Sequence, residues 1–172
     1  MKKIYHVYKN EIELENRKLK NLLKFGMSYL YDIEKYDYDP QIEKSFDTYE
    51  EAKKYLDEYC STKISGIMGS GVRYREIEYY TIWEEYWLDG NENEEDSDGM
   101  SSNDITSVEA YTYLIEKDGY RTFESDYYLD EDDAKDDACD KIEWAESEEL
   151  ENTIYYIIKY VDGEEVERKE VE

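Results

Sequence analysis

Two segments of this chain repeat one pattern, and the repeat limits the possible fold more than any other feature of the sequence. The pattern Tyr-x-Tyr-x-Ile-Glu-Lys occurs at Tyr29–Lys35 and again at Tyr111–Lys117, 82 residues later. Further pairs at the same offset are Phe46 and Tyr128, Thr48 and Asp130, Ala52 and Ala134, and Lys53 and Lys135. An internal repeat of this length indicates a duplicated unit. We therefore expect an α+β fold of two tandem β-β-α-β-like units, with helices packed on antiparallel sheets.

The spacing of apolar residues assigns most segments to a strand or a helix. Strands are predicted for Lys2–Tyr8, Met27–Lys35, Gln41–Phe46, Tyr74–Leu88, Val108–Lys117, Tyr120–Tyr128, Ile154–Val161 and Glu164–Val171. Helices are predicted for Glu11–Lys24, Tyr49–Thr62 and a segment from Asp130 to about Ala145. Thr48 and Asp130 are the expected N-caps of the last two helices. Asp118-Gly119 and Asp162-Gly163 are the expected hairpin turns.

Charge divides the chain unevenly. Residues 1–75 contain 14 Lys and Arg against 13 Asp and Glu, whereas residues 76–172 contain 7 against 34. We expect an N-terminal α+β unit at residues 1–90, near neutral up to residue 75. An acidic, polar linker follows at residues 91–104. A C-terminal acidic β-β-α-β-β unit is expected at residues 105–172.

The net charge of −26 restricts the partners that the chain can bind. A field of that sign repels nucleic acid and anionic membranes, so we expect a basic protein partner and no direct contact with either. No apolar run reaches the length of a membrane span, and the N-terminus does not resemble a signal peptide. Two cysteines, Cys60 and Cys139, are expected to be reduced, semi-buried thiols. These features favour a protein of the bacterial host cytoplasm.

Residue patterns that support catalysis or cofactor binding are scarce. The one histidine, His6, lies in a predicted strand, where a structural role is expected rather than a pairing with a nucleophile such as Cys60 or Cys139. No zinc motif occurs, and the glycines at 66–71 lack the Lys-Ser/Thr of a phosphate loop. A calcium loop starting at Asp89 would place Glu94 where glycine is needed. We expect no catalytic residue, no metal and no cofactor, which indicates that the chain is not an enzyme.

The segment Asp130–Glu146 carries nine acids and two lysines, a net charge of −7. Its apolar stripe, Ala134, Ala138, Ile142 and Ala145, points the acids outward. Seventeen helical residues span roughly 25 Å, so the charge density approaches that of one DNA strand, about one charge per 3.4 Å. We expect one acidic partner-binding face formed by Glu84, Glu85, Glu92, Glu94, Glu95, Asp96, Asp98, Asp132, Asp133, Asp136, Asp137 and Asp140.

In composition, and in the helix start Asp47-Thr48-Tyr49-Glu50-Glu51-Ala52, the chain resembles small acidic proteins of phages and mobile elements. Among these it is most similar in kind to the anti-CRISPR and anti-restriction proteins that imitate DNA. The resemblance implies an inhibitor that occupies the nucleic-acid-binding surface of a host-defence protein such as a Cas nuclease. Two alternatives stay open: an interaction module whose charge serves solubility, and a metal-dependent hydrolase that uses clustered carboxylates.

Overall fold

The computed structural model describes residues 1–32, 40–65, 74–88 and 97–172. In chain order the elements are β1 (Lys2–Glu15), α1 (Asn16–Phe25), α2 (Tyr29–Asp32), β2 (Gln41–Phe46), α3 (Tyr49–Tyr59), β3 (Lys63–Ser65), β4 (Tyr74–Trp87), β5 (Gly99–Ile105), β6 (Glu109–Lys117), β7 (Tyr120–Glu124), α4 (Glu131–Trp144), α5 (Ser147–Leu150), β8 (Thr153–Val161) and β9 (Glu164–Glu170). The protein is mixed α+β with antiparallel sheets, as the sequence predicts. Of the helices in the described ranges, none combines the length and the apolarity needed to cross a membrane.

The chain forms two compact units. Unit 1 comprises Met1–Leu19 and Met27–Ser107, and unit 2 comprises Lys20–Gly26 and Val108–Glu172. Helix α1 is thus divided between the units after Leu19.

The sheet of unit 1 is built around β1 and β4, which pair along their whole length from Lys2–Trp87 to Glu15–Tyr74. Strand β2 pairs with the other edge of β1, while β3 and β5 both pair with β4. Helix α3 begins where the Thr48 hydroxyl accepts a hydrogen bond from the Glu51 amide at 3.3 Å. Capping of this kind satisfies a backbone N–H that the helix itself leaves free.

Helix α3 packs on this sheet through a small buried cluster. The cluster contains Ala52 and Leu56 from the helix and the cross-strand pair Val7 and Ile82 from β1 and β4. All four side chains are at most 2% exposed. Ala52 and Leu56 are four residues apart and therefore lie on one helix face.

Unit 2 has the sheet order β7-β6-β8-β9. Asp118 and Gly119 close the β6–β7 hairpin with φ values of 52° and 82°, and Asp162 and Gly163 close β8–β9 with 50° and 83°. Two successive positive φ values are what a tight hairpin turn requires, and Asp-Gly supplies them at little cost. Both predicted turns are confirmed.

Helix α4 packs on the β6–β8 face of this sheet. Ala134 and Ala138 are fully buried against the cross-strand pair Tyr113 and Ile157. The small alanine side chains let the helix approach the larger Tyr113 ring on the strand. The predicted apolar stripe of α4 is therefore confirmed at Ala134 and Ala138, while Ile142 and Ala145 are half-buried.

Two predicted elements in the N-terminal part need correction: the helix predicted for Glu11–Lys24 forms only from Asn16, as α1, and the strand predicted for Met27–Lys35 is not formed in its described part. Strand β1 continues to Glu15, because Ile12 and Leu14 are buried while Glu11 and Glu13 are exposed, the alternation of a strand rather than a helix. The predicted strand Met27–Lys35 starts instead with α2, and residues 33–35 lie outside the described part. Met27 and Leu30, both buried, are spaced for a helical turn.

The predicted linker at residues 91–104 is described only from Ser97 onward. From Gly99 it is strand β5, which pairs with β4. Its polar composition suggested a linker, but an edge strand with exposed side chains tolerates polar residues equally well. Asp104 is also held on unit 1, since the Tyr49 hydroxyl donates to its carboxylate at 2.6 Å and this bond raises the pKa of Tyr49 to about 12.

Candidate partner-binding site

The acidic helix α4 starts at a side-chain cap. The Asp130 carboxylate accepts a hydrogen bond from the Asp132 amide at 2.7 Å. Glu131, Asp132 and Asp133 occupy the first turn. Acids in the first turn interact favourably with the helix dipole. The helix dipole therefore offsets part of the negative charge at the start of α4, whereas Asp136, Asp137 and Asp140 lie beyond the first turn.

Most of the carboxylates on α4 are exposed and unpaired. Asp132, Asp133, Asp136 and Asp140 point to solvent. Within the described part of the chain, no lysine or arginine nitrogen lies within 4.0 Å of these four carboxylates. The exception on the helix is Glu131, which pairs with Lys169 at 3.1 Å. The outward side of α4 is therefore an unneutralised acidic surface, which we call the α4 acidic face and define by those four aspartates.

Asp137 differs from its neighbours because its carboxylate accepts a hydrogen bond from a residue outside α4. The Tyr128 hydroxyl donates to its carboxylate at 2.6 Å. Burial and this hydrogen bond raise the pKa of Tyr128. The bond fixes one oxygen of Asp137 and turns the side chain towards the sheet rather than directly away from it.

Glu84 and Glu85 do not belong to the α4 acidic face. They lie on β4 of unit 1, where Glu84 pairs with Lys3 at 3.0 Å and Glu85 contacts the His6 ring at 2.6 Å. Pairing of β1 with β4 brings basic side chains of the N-terminal strand beside these acids, and Lys9 pairs with Glu78 in the same way at 3.0 Å. Glu84 is thus paired with a lysine and Glu85 is hydrogen-bonded to the His6 ring, so both carboxylates already have partners within unit 1.

The predicted acidic loop is described only in part. Glu92, Glu94, Glu95 and Asp96 lie outside the described residues. Asp98 is described, and its carboxylate accepts a hydrogen bond from the Leu88 amide at the end of β4. Asp98 thus has a local structural role in closing the connection to β5. Of the twelve predicted residues, five lie together on α4, namely Asp132, Asp133, Asp136, Asp137 and Asp140.

The sequence interpretation did not consider Trp144, the last residue of α4. Its side chain is 84% exposed, the largest exposed fraction among the large apolar residues of the described part. Beside it lies an open groove of about 510 Å³, lined by Tyr113, Asp137, Asp140, Lys141, Ala145 and Glu149 as well as Trp144. The exposure of Trp144 could have been predicted from its position relative to the apolar stripe of α4. At 100° per residue, Trp144 lies about 120° from the centre of the apolar stripe.

His6 is held by hydrogen bonds at both ring nitrogens. Nδ1 lies 2.7 Å from the Ser45 hydroxyl, and Nε2 lies 2.6 Å from the Glu85 carboxylate. With the proton on Nε2, the ring donates to Glu85 and accepts from Ser45. The order Ser45–His6–Glu85 has the connectivity of a nucleophile, a base and an orienting carboxylate. It also ties together β2, β1 and β4, which is the structural role predicted for a strand histidine.

The cysteines do not join this network. The His6 ring is hydrogen-bonded to Ser45 and Glu85 rather than to a thiol. Burial raises the pKa of Cys60 to about 11, which keeps it protonated and unreactive. Cys139 is exposed on α4 rather than semi-buried, since the buried stripe passes through Ala134 and Ala138. In the described ranges no three His, Cys, Asp or Glu side chains are grouped to hold a metal ion.

Comparison of this chain with protein-family models, with curated proteins and with solved structures found no match. Its function therefore has to be inferred from the charge and geometry of the chain itself. The feature that stands out is the α4 acidic face.

Proposed function

We propose that this protein is a non-catalytic inhibitor that binds the nucleic-acid-binding surface of a basic, DNA-targeting host-defence protein, such as a Cas nuclease. The aspartates of the α4 acidic face would take the places of DNA phosphates. An electronegative surface attracts a basic groove over long distances, which speeds association and gives binding that weakens as salt rises. The partner is a protein of the cytoplasm, and neither a cofactor nor a metal takes part.

A comparison of α4 with α3 carries this proposal. Both helices are capped four residues before a buried alanine and pack on a cross-strand apolar pair. In α3 the exposed positions Glu50, Lys54 and Glu58 alternate in charge at steps of four. The corresponding positions of α4 are Asp132, Asp136 and Asp140.

The acid-only pattern is thus not a requirement of this architecture. Like charges four residues apart destabilise a helix, whereas an alternating set stabilises it. Unit 1 shows that a helix of mixed charge fits on the same kind of sheet. A chain that retains the costly pattern in α4 is expected to use it for binding.

Two equivalent cores also support a duplicated unit. The order strand, strand, helix, strand, strand is β1-β2-α3-β4-β5 in unit 1 and β6-β7-α4-β8-β9 in unit 2, and the sheet neighbours correspond. We propose that both derive from one unit, with α1, α2 and β3 added between the elements of the first copy and α5 added in the second. The residue pairs that match at an offset of 82 in α3 and α4, such as Ala52 and Ala134, fit this proposal. Tyr29 and Tyr111 do not, because one lies in a helix and the other in a strand.

Displacement of DNA tests the proposed function. Fluorescently labelled duplex DNA is bound to purified Cas effectors and restriction nucleases, and its anisotropy is followed as the protein is added. The proposal predicts that at least one nuclease releases its DNA. Charge reversal to lysine of the four aspartates of the α4 acidic face should abolish that release.

A second set of reversals controls for total charge. Glu164, Glu167, Glu170 and Glu172 are exposed residues of the same unit, and their reversal changes the net charge equally. This control variant should still displace DNA. Equal loss in both variants, or release from no nuclease at low salt, would instead favour an interaction module whose charge serves solubility.

A further inference from the structure

The groove beside Trp144 combines an exposed aromatic face with carboxylates. Asp133, Asp137, Asp140 and Trp144 follow one another at helical steps of four, three and four, so they lie on a single side of α4. That side borders the groove, and Glu149 of α5 also lines it. Its volume of about 510 Å³ lies within the range of clefts that hold small ligands or side chains.

The charges lining the groove select a cationic occupant. Three acidic residues, Asp137, Asp140 and Glu149, line the groove with one basic residue, Lys141. The Lys141 ammonium lies 5.3 Å from the centre of the Phe123 ring, so it already has an aromatic neighbour. Asp140 and Glu149 have no basic partner within 4.0 Å in the described part of the chain. An anion or a purely apolar group would leave these carboxylates unpaired.

Tryptophan next to carboxylates favours a guanidinium over an ammonium. The planar guanidinium stacks on an aromatic face and can donate two parallel hydrogen bonds to a carboxylate. Cation–π attraction is strongest over tryptophan among the aromatic side chains. The 84% exposure of Trp144 leaves the ring open to such contact.

We propose that this groove receives an arginine side chain of the basic partner, stacked on Trp144 and paired with Asp140. The proposal rests on the proposed function, because it names the anchor by which unit 2 would hold a nucleic-acid-binding protein. Within that surface, the α4 acidic face supplies long-range attraction and the groove supplies one specific aromatic contact. Aromatic anchors of this kind commonly dominate the binding energy of an interface.

Two labelled peptides of equal length, one an arginine–glycine repeat and one a lysine–glycine repeat, test the groove directly. Their affinities for the full chain are measured by anisotropy at low salt. The wild-type chain should prefer the arginine peptide. Trp144→Leu should weaken arginine-peptide binding about five- to tenfold, in line with the loss of a cation–π contact. Lysine-peptide binding should change much less.

Asp140→Asn and Asp132→Asn form a matched pair of single-charge changes on α4. Asp140 lines the groove and Asp132 does not, although both are exposed. The first change should weaken arginine-peptide binding more than the second. Equal effects, or a Trp144→Leu chain that binds the arginine peptide like wild type, would overturn the proposal. Because these side chains are exposed, each variant is expected to fold. A thermal unfolding curve like that of the wild type will check this.

Other occupants give distinct results. If a second copy of the chain occupies the groove, sedimentation will show a concentration-dependent dimer that Trp144→Leu disrupts, and the arginine proposal fails. If the protein displaces DNA from a nuclease and Trp144→Leu does so equally well, the proposed function stands and the groove proposal fails. If no nuclease responds but the arginine peptide binds through Trp144, the groove proposal stands and the proposed function fails.

Discussion

At the scale of single residues, substitution of Ser45 distinguishes a structural role of the Ser45–His6–Glu85 network from a catalytic role. The Ser45 hydroxyl lies 2.7 Å from His6, which in turn contacts Glu85 at 2.6 Å. If the network only ties the strands together, Ser45→Ala removes one hydrogen bond to a buried ring. The free energy of unfolding should then fall by about 1 kcal/mol in a urea titration.

A covalent probe completes this test. A fluorophosphonate, which labels activated serines, should leave the mass of the wild-type chain unchanged. An adduct that forms in the wild type and is lost in Ser45→Ala would identify Ser45 as a nucleophile and contradict the proposed non-catalytic role.

At the scale of single elements, the loss of stability caused by like charges on α4 can be measured. Asp136 lies four residues from both Asp132 and Asp140, so Asp136→Lys replaces two repulsive pairs with two attractive ones. Each pair contributes a few tenths of a kcal/mol, so the variant should be more stable by about 1 kcal/mol. Denaturant unfolding measures the gain, and the same variant should bind the partner less well.

The reverse change in α3 is the matched control. Lys54 is exposed between Glu50 and Glu58. Lys54→Asp gives α3 the acid-only pattern of α4, and it should destabilise the protein by a similar amount. If Asp136→Lys instead lowers stability, the acids of α4 serve the fold rather than a partner.

Features that depend on neighbouring residues could be predicted from the sequence, whereas features that depend on strand pairing could not. The caps at Thr48 and Asp130 and the Asp-Gly turns follow from short-range chemistry and are confirmed. Strand β1 was predicted too short because Ile12 fits a loose helical spacing with Leu19, Leu22 and Leu23, whereas pairing with β4 extends the strand to Glu15. The same limitation explains Glu84 and Glu85, whose partners Lys3 and His6 are far away in the sequence.

The candidate site was predicted only in part for a related reason. The acids of α4 could be located from the charge distribution, since they lie within one short segment of the sequence. The groove could not be located in this way, because its lining depends on how Tyr113 of β6 and Glu149 meet the end of α4. Trp144 carries no charge, so a search for acids passed over it.

At the scale of the whole molecule, a net charge of −26 acts on folding and on binding in opposite directions. Mutual repulsion of the carboxylates destabilises the compact state, and dissolved salt screens it. The fold should therefore become more stable as sodium chloride is added. Attraction to a basic partner is screened by the same ions, so binding should weaken over the same range.

The salt dependence of binding is the most direct test of the proposed DNA imitation. The dissociation constant for a responsive nuclease is measured over a series of sodium chloride concentrations. One arm uses the wild-type chain, and the other uses a variant with all four aspartates of the α4 acidic face changed to asparagine. We predict a steep rise of the dissociation constant with salt for the wild type and a clearly shallower rise for the variant. Parallel slopes, or a constant unaffected by salt, would contradict the imitation of DNA by α4.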